Sequence, residues 1–223
     1  MPDISTTMIK QLRQRTGAGV MDCKSALAEA NGNEDEAVKI IQKKGLAKVV
    51  KRAGAIATEG AIHAYVHPGS RLGVLVEVNC QTDFVGRGED FKAFVELVGM
   101  QIASMNPLFV RREEITQPER NERRELFAAQ VREEQEKSGK KRPENVVDKI
   151  VDGKLEKWIN EVCLVEQASV LDNEKTIGQL ADDLSVKTGE KISIRRFVRY
   201  ELGEGFQEKK ADLASEVAEV LSQ

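Results

Sequence analysis

The chain has 223 residues, of which 40 % are hydrophobic and 32 % charged, with a formal net charge of −3. That apolar share suffices for a packed core, while the slightly acidic balance and the shortness of basic clusters such as Lys43-Lys44 and Lys140-Lys141-Arg142 argue against a nucleic-acid binder, which needs a basic stripe. No apolar run approaches the ~20 residues that cross a bilayer, and Cys23, Cys80 and Cys163 form neither a CxxC pair nor an even disulfide set, so the expectation is a cytoplasmic protein in a reducing compartment, with no membrane, no metal and no cofactor.

Met1-Pro2-Asp3-Ile4-Ser5 has no basic or apolar region, so no secretory signal is expected there. Residues 4–45 read as three short helices. Ser5 caps the first, which places Met8, Ile9 and Leu12 on one face, and Gly17-Ala18-Gly19 ends it. Asp22 is expected to cap the second, with Ala26, Leu27 and Ala30 inward. Asn31-Gly32-Asn33 breaks the chain, and Asn33 with Glu36 resembles a capping box. The third helix should bury Ala37, Val38 and Ile41 and stop at Gly45, leaving Lys43 to Ala57 as a basic linker helix.

Residues 58–80 change period. Ile62, Ala64 and Val66 alternate, as do Val74, Val76 and Val78, around the turn His67-Pro68-Gly69-Ser70. This predicts a β-hairpin with one buried face. Residues 89–105 return to helical spacing, with Phe91, Phe94, Val95, Val98 and Ile102 on a face large enough to cover the hairpin. Residues 111–142 are rich in Arg and Glu, with Glu119/Arg123 and Arg120/Arg124 at helical spacing. After a turn at 138–143, Val147, Val151, Leu155, Trp158 and Val162 form a stripe, which predicts a projecting antiparallel helical hairpin. Thr176 with Gln179 makes a capping box ahead of a helix burying Ile177, Leu180 and Leu184. Ile192, Ile194, Phe197-Val198 and Tyr200 read as a further strand, and Leu213, Val217 and Leu221 as a last amphipathic helix.

Chemistry-bearing patterns are scarce. His63 and His67 lie on a strand and its turn with no third ligand nearby, and are expected on the strand surface. Gly17-Ala18-Gly19 with Lys24-Ser25 fails the phosphate-loop spacing and follows a helix rather than a strand. Cys23 and Cys80 have no histidine base close in sequence and read as small buried hydrophobes, against the rival of a thiol enzyme. Asn79-Cys80-Gln81-Thr82-Asp83-Phe84-Val85-Gly86, between strand and helix, admits two readings. The Phe-Val pair either plugs the local core or forms an exposed apolar tip beside a carboxylate, the shape of an interface anchor.

Three stretches resemble the translation elongation factor Ts family. They are Leu12-Arg13-Gln14-Arg15-Thr16-Gly17-Ala18-Gly19-Val20-Met21-Asp22-Cys23-Lys24-Ser25-Ala26-Leu27, then Glu77-Val78-Asn79-Cys80-Gln81-Thr82-Asp83-Phe84-Val85, and Arg195-Arg196-Phe197-Val198-Arg199-Tyr200-Glu201-Leu202-Gly203-Glu204-Gly205. The resemblance spans essentially the whole chain and favours the anchor reading of Asp83-Phe84. It implies an α+β fold: a ubiquitin-associated-like (UBA-like) three-helix domain with its linker over 1–54, and a core hairpin and helix over 55–110. A helical, coiled-coil hairpin over 111–165, a return to the core with the last strand over 166–205, and a C-terminal module over 206–223 complete it. It implies a non-enzymatic guanine nucleotide exchange factor that binds GDP-loaded elongation factor Tu. Thr82, Asp83, Phe84 and Val85 would displace that partner's Mg²⁺, and Arg13, Val20 and Met21 of the N-terminal domain would contact it. Val20 stands where the family pattern has Met. Longer members carry two related core halves. The single hairpin here looks like a short form, whose missing half a homodimer would restore. The competing reading is a UBA-like adaptor with a different partner, which accounts for the first stretch but not for the Thr82–Val85 loop.

Overall fold

Helix-breaking residues divide the N-terminal region. In the computed structural model, which describes residues 4–52, 57–139 and 143–205, α1 spans Thr6–Thr16, and the Ser5 hydroxyl accepts from the Met8 amide at 3.2 Å. Gly17 ends α1 with a φ of 67°, a left-handed C-cap that glycine adopts without a Cβ clash. α2 (Val20–Glu29) is capped by Gly19, so Asp22 sits within its first turn and not at the expected cap. There its carboxylate still meets the positive end of the helix dipole. α3 (Glu34–Arg52) begins after Asn33, whose side chain accepts from the Glu36 amide at 3.1 Å.

α3 does not stop at Gly45. It runs through that residue and takes in the expected linker helix as far as Arg52. An isolated glycine costs a helix only about 1 kcal/mol, and here close packing requires one, because a Cβ on Gly45 would lie 2.6 Å from Val186 Cγ1. Leu12, Cys23, Ala26, Leu27, Ala37 and Ile41 form the small core of this three-helix unit, and Val186 packs against it from a distant helix.

β1 (Glu59–Val66) and β2 (Leu72–Cys80) form the hairpin, and β3 (Ser193–Glu201) pairs with the other edge of β2. The sheet is antiparallel throughout, in the order β1-β2-β3. Val74, Val76 and Val78 face the core as their alternation predicts. β1 has the opposite face inward from the expected one. Ile62 and Val66 are 72 % and 62 % exposed, and Tyr65 is buried. The register sets Tyr65 opposite Val74 and His63 opposite Val76, and directly paired residues share a face. Both faces of β1 carry apolar residues, so alternation by itself leaves its orientation open. His63 is accordingly half-buried, with Nε2 2.7 Å from Glu96. α5 (Glu89–Met105) covers the inner face with Phe91, Phe94, Val95, Val98 and Ile102.

α6 (Gln117–Ser138) and α7 (Glu144–Val162) form the helical hairpin. Glu119 completes a capping box with Thr116, which draws it away from the predicted partner Arg123. Arg123 stacks instead on Trp158, 4.9 Å from the ring centroid. Arg124 pairs with Asp152, which offsets its repulsion from Arg120. Val151, Leu155 and Ile159 are the buried residues of α7. The predicted stripe omits Ile159, which packs against Ile115 and Cys163 at the hairpin base.

α8 (Ile177–Thr188) has the expected capping box of Thr176 and Gln179 and buries Ile177 and Leu184 in the main core. The buried Gln101 ties α5 to the segment before α8. Its amide donates to Gln167 Oε1 at 3.0 Å and to the Ala168 carbonyl at 3.1 Å, and its own oxygen accepts from the Val170 amide at 2.8 Å. The expected helix carrying Leu213, Val217 and Leu221 lies outside the described residues. Among the described residues no helix is long and apolar enough to cross a membrane.

Candidate functional site: a braced aromatic tip

The segment after β2 folds into α4 (Asp83–Gly86), a single helical turn. Thr82 caps it, its hydroxyl accepting from the Val85 amide at 3.4 Å. The two apolar residues of this turn separate. Val85 is half-buried and packs against the main core, whereas Phe84 is 85 % exposed. The plug reading therefore describes Val85 and the exposed-tip reading describes Phe84. Asp83 precedes it in the chain, solvent-exposed, 3.1 Å from Arg87 in an i,i+4 pair of the kind worth little in water.

Several contacts brace the turn from beneath. The Cys80 thiol donates to the Thr82 carbonyl at 3.1 Å. The Glu190 carboxylate accepts from the Gln81 and Thr82 amides, both at 3.0 Å, and from the Thr82 hydroxyl at 2.7 Å. Gly86 lies on Gly60, where a Cβ would come within 3.6 Å of the Gly60 Cα. Gly60, with a φ of 137°, has no room for a side chain, since a Cβ there would lie 2.1 Å from the Val78 carbonyl oxygen. Neither Gly60 nor Glu190 belongs to the residues expected from the sequence. A glycine inside a strand is a signal of close backbone approach, but nothing in the sequence singles out Glu190.

Glu77, at the head of this segment, receives two arginines from β3. Arg195 Nη1 and Arg196 Nε each lie 2.7 Å from one of its oxygens. Successive strand residues ordinarily point to opposite faces, but the register shift opposite Glu77/Val78 is a bulge that turns both toward one carboxylate. Arg195 first, and Arg196 with it, hold that carboxyl below the usual glutamate range.

Arg13, Val20 and Met21 flank the Gly17-Ala18-Gly19 turn of the three-helix unit, Arg13 on the last turn of α1 and the other two opening α2. All three are exposed, Met21 at 76 %. The three thiols are fully buried. Burial raises each of them, Cys163 to about 11, and the Glu190 charge raises Cys80 further. A neutral, enclosed thiol is a poor nucleophile. No group of three or more His, Cys, Asp or Glu residues able to hold a metal occurs among the described residues.

Fold and site together define an α+β scaffold that presents an exposed aromatic residue on a braced turn, with its thiols buried. The family model for elongation factor Ts matches residues 3–204. The chain is 48 % identical over 218 residues to "Elongation factor Ts" of Desulforamulus reducens, covering 98 % of each chain. It is 51 % identical over 215 residues to that of Carboxydothermus hydrogenoformans, covering 96 % of each. With that of Myxococcus xanthus it shares 49 % identity over 223 residues, the full length of both. The chain belongs to the elongation factor Ts family.

Proposed function

We propose that this chain is a guanine nucleotide exchange factor that binds GDP-loaded elongation factor Tu in the cytoplasm and promotes GDP release by dislodging the bound Mg²⁺. The observation that carries the reading is the exposed Phe84 ring on a turn braced by core and carboxylate. A nucleotide pocket holds GDP through backbone donors and a Mg²⁺ that neutralises phosphate charge. Burying one Phe side chain on the partner contributes roughly 1.5–3 kcal/mol. At about 1.4 kcal/mol per decade, that alone loosens GDP by about ten- to a hundredfold. Loss of the Mg²⁺ counter-charge supplies a second term, and Asp83 contributes to it by competing for the groups that hold the ion. Arg13, Val20 and Met21 add interface area that keeps the tip engaged. Linkage makes the effect reciprocal: GDP weakens this protein's grip on the partner by the same factor. No covalent bond changes, so the protein acts without catalytic residues.

Stopped-flow release of a fluorescent GDP from the partner tests this. Phe84→Ala removes a ring that is already in water, so its effect on folding stability stays within about 0.5 kcal/mol, while stimulated release slows at least about tenfold. Val85→Ala, by contrast, lowers stability by about 1 kcal/mol through a lost core contact. Unchanged release with Phe84→Ala defeats the Mg²⁺-displacement reading.

The outer face of the sheet supports a homodimer. Ile62, Val66, Leu75, Val198 and Tyr200 lie exposed on it, and the single sheet leaves this apolar face uncovered by any described element. A second copy presenting the same face would bury it about a two-fold axis. Light scattering on size-exclusion fractions should give twice the chain mass, reverting to one with Ile62→Lys. A monomer at every concentration rejects the dimer.

A further inference from the structure

We propose that Glu190 is the positioning residue for the aromatic tip, a carboxylate clasp that fixes the angle at which Phe84 is presented; this rests on the reading of Phe84 as the partner-engaging group.

The sheet ends short of the tip segment. β3 begins at Ser193, opposite Asn79, so the backbone beyond Cys80 has no strand beside it. The Gln81 and Thr82 amides are left without ladder partners at the point where the chain turns into α4. Glu190 supplies them from 108 or more residues away, with one oxygen accepting both amides and the other taking the Thr82 hydroxyl proton. A carboxylate accepting three donors is a strong hydrogen-bond arrangement. Thr82 is in turn the cap of α4, so the clasp and the cap meet on one hydroxyl.

Glu190 is itself held in place. Gly189 ends α8 in the left-handed region with a φ of 73°, and the Glu190 amide donates to the Thr188 hydroxyl at 3.4 Å. Two residues on, the Ile192 amide donates to the buried Ser185 hydroxyl at 2.9 Å. A carboxylate immediately after a helix C-terminus opposes the helix dipole. This position therefore gains nothing from α8, and its compensation comes from the three donors of the tip segment. The tip thus takes its direction from α8 and not only from β2. The same α8 carries Val186, which packs on the three-helix unit, so one helix orients both partner-facing regions.

The test uses the full-length chain in four forms: wild type, Glu190→Ala, Phe84→Ala and the double variant, with Glu190→Gln as the conservative control. Backbone hydrogen exchange and partner GDP release are measured on each. The proposal expects exchange at Thr82 and Val85 to quicken by about tenfold or more in Glu190→Ala while the sheet amides stay protected, as for a local opening. GDP release should slow by about tenfold, as expected for a misplaced group. The double variant should be no slower than Phe84→Ala, because Glu190 acts only through the tip. Glu190→Gln, which keeps an oxygen for the two amides, should recover most of the activity. Unchanged amide exchange in Glu190→Ala overturns the clasp whatever the release rates show. So does a normal release rate alongside a slow Phe84→Ala, or a Glu190→Ala effect that adds fully to Phe84→Ala. If Phe84→Ala itself leaves release unchanged, the exchange-factor mechanism falls, while the amide data still decide whether Glu190 orders the turn.

Discussion

Replacing Gly45 with alanine separates two accounts of how the three-helix unit sits on the rest of the molecule. Gly45 lies inside α3, and in a solvated helix Gly→Ala stabilises by roughly 0.5–1 kcal/mol, by removing backbone freedom from the unfolded chain. Here the added Cβ would lie 2.6 and 2.7 Å from the two γ-methyl groups of Val186 and 3.2 Å from its Cβ. Val186 is β-branched, with little rotameric freedom in a helix, so it cannot swing aside cheaply. Overpacking of this kind costs about 1–3 kcal/mol. The cost exceeds the propensity gain, and Gly45→Ala is expected to destabilise the docked arrangement by up to about 2 kcal/mol. In a Val186→Ala background the two γ-methyl clashes are gone, only the 3.2 Å Cβ contact remains, and the same change should cost little or stabilise. Urea unfolding of the four forms gives the coupling, expected at about 1–3 kcal/mol. Hydrogen exchange should show the loss first in α8 and α3 and not in the sheet. A Gly45→Ala chain that gains stability equally in both backgrounds would refute the docking of α3 on α8.

Two further outcomes follow from the electrostatics and burial. Arg112, 2.8 Å from Glu166, holds that carboxyl below the usual glutamate range. A depressed folded-state pKa contributes stability above the unfolded value of about 4.3, and that stability is lost as pH falls through the lower folded value. Glu166→Gln should therefore lower the melting temperature at neutral pH, and the gap from wild type should close below pH about 4. A gap that persists undiminished at pH about 2 would remove the ion pair as its cause. Native protein at mildly alkaline pH should resist alkylation at Cys23, Cys80 and Cys163, all three reacting once denatured, with intact-mass spectrometry as the readout. Rapid native labelling at Cys80 would revive a thiol role beside the tip.

Much of the secondary structure was legible from local chemistry. Ser5, Thr176 and Gly17 act at the caps where their side chains or φ freedom predict, because capping is settled within a few residues of chain. The valine alternation of β2 and the aromatic face of α5 likewise follow from periodicity. The Asp83-Phe84 segment drew attention as a pattern, and the resemblance of three stretches to one family pointed to its use. The remaining features depend on contacts between different elements. Ile62, Ala64 and Val66 look like a core face until the register opposite Val74 and Val76 turns them outward. Gly45 reads as a helix stop until Val186 shows why a glycine is needed within a continuous helix. The sequence by itself determined the caps at Ser5, Gly17 and Thr176, the strands, the main helical faces and the carboxylate–aromatic pair as a candidate. Only the tertiary structure decided which of Phe84 and Val85 is outside, which face of β1 is covered, and that Glu190 grips the turn. Those choices are set by packing and hydrogen bonds between different elements, across 108 and 109 residues in the case of Glu190, and no local propensity encodes them.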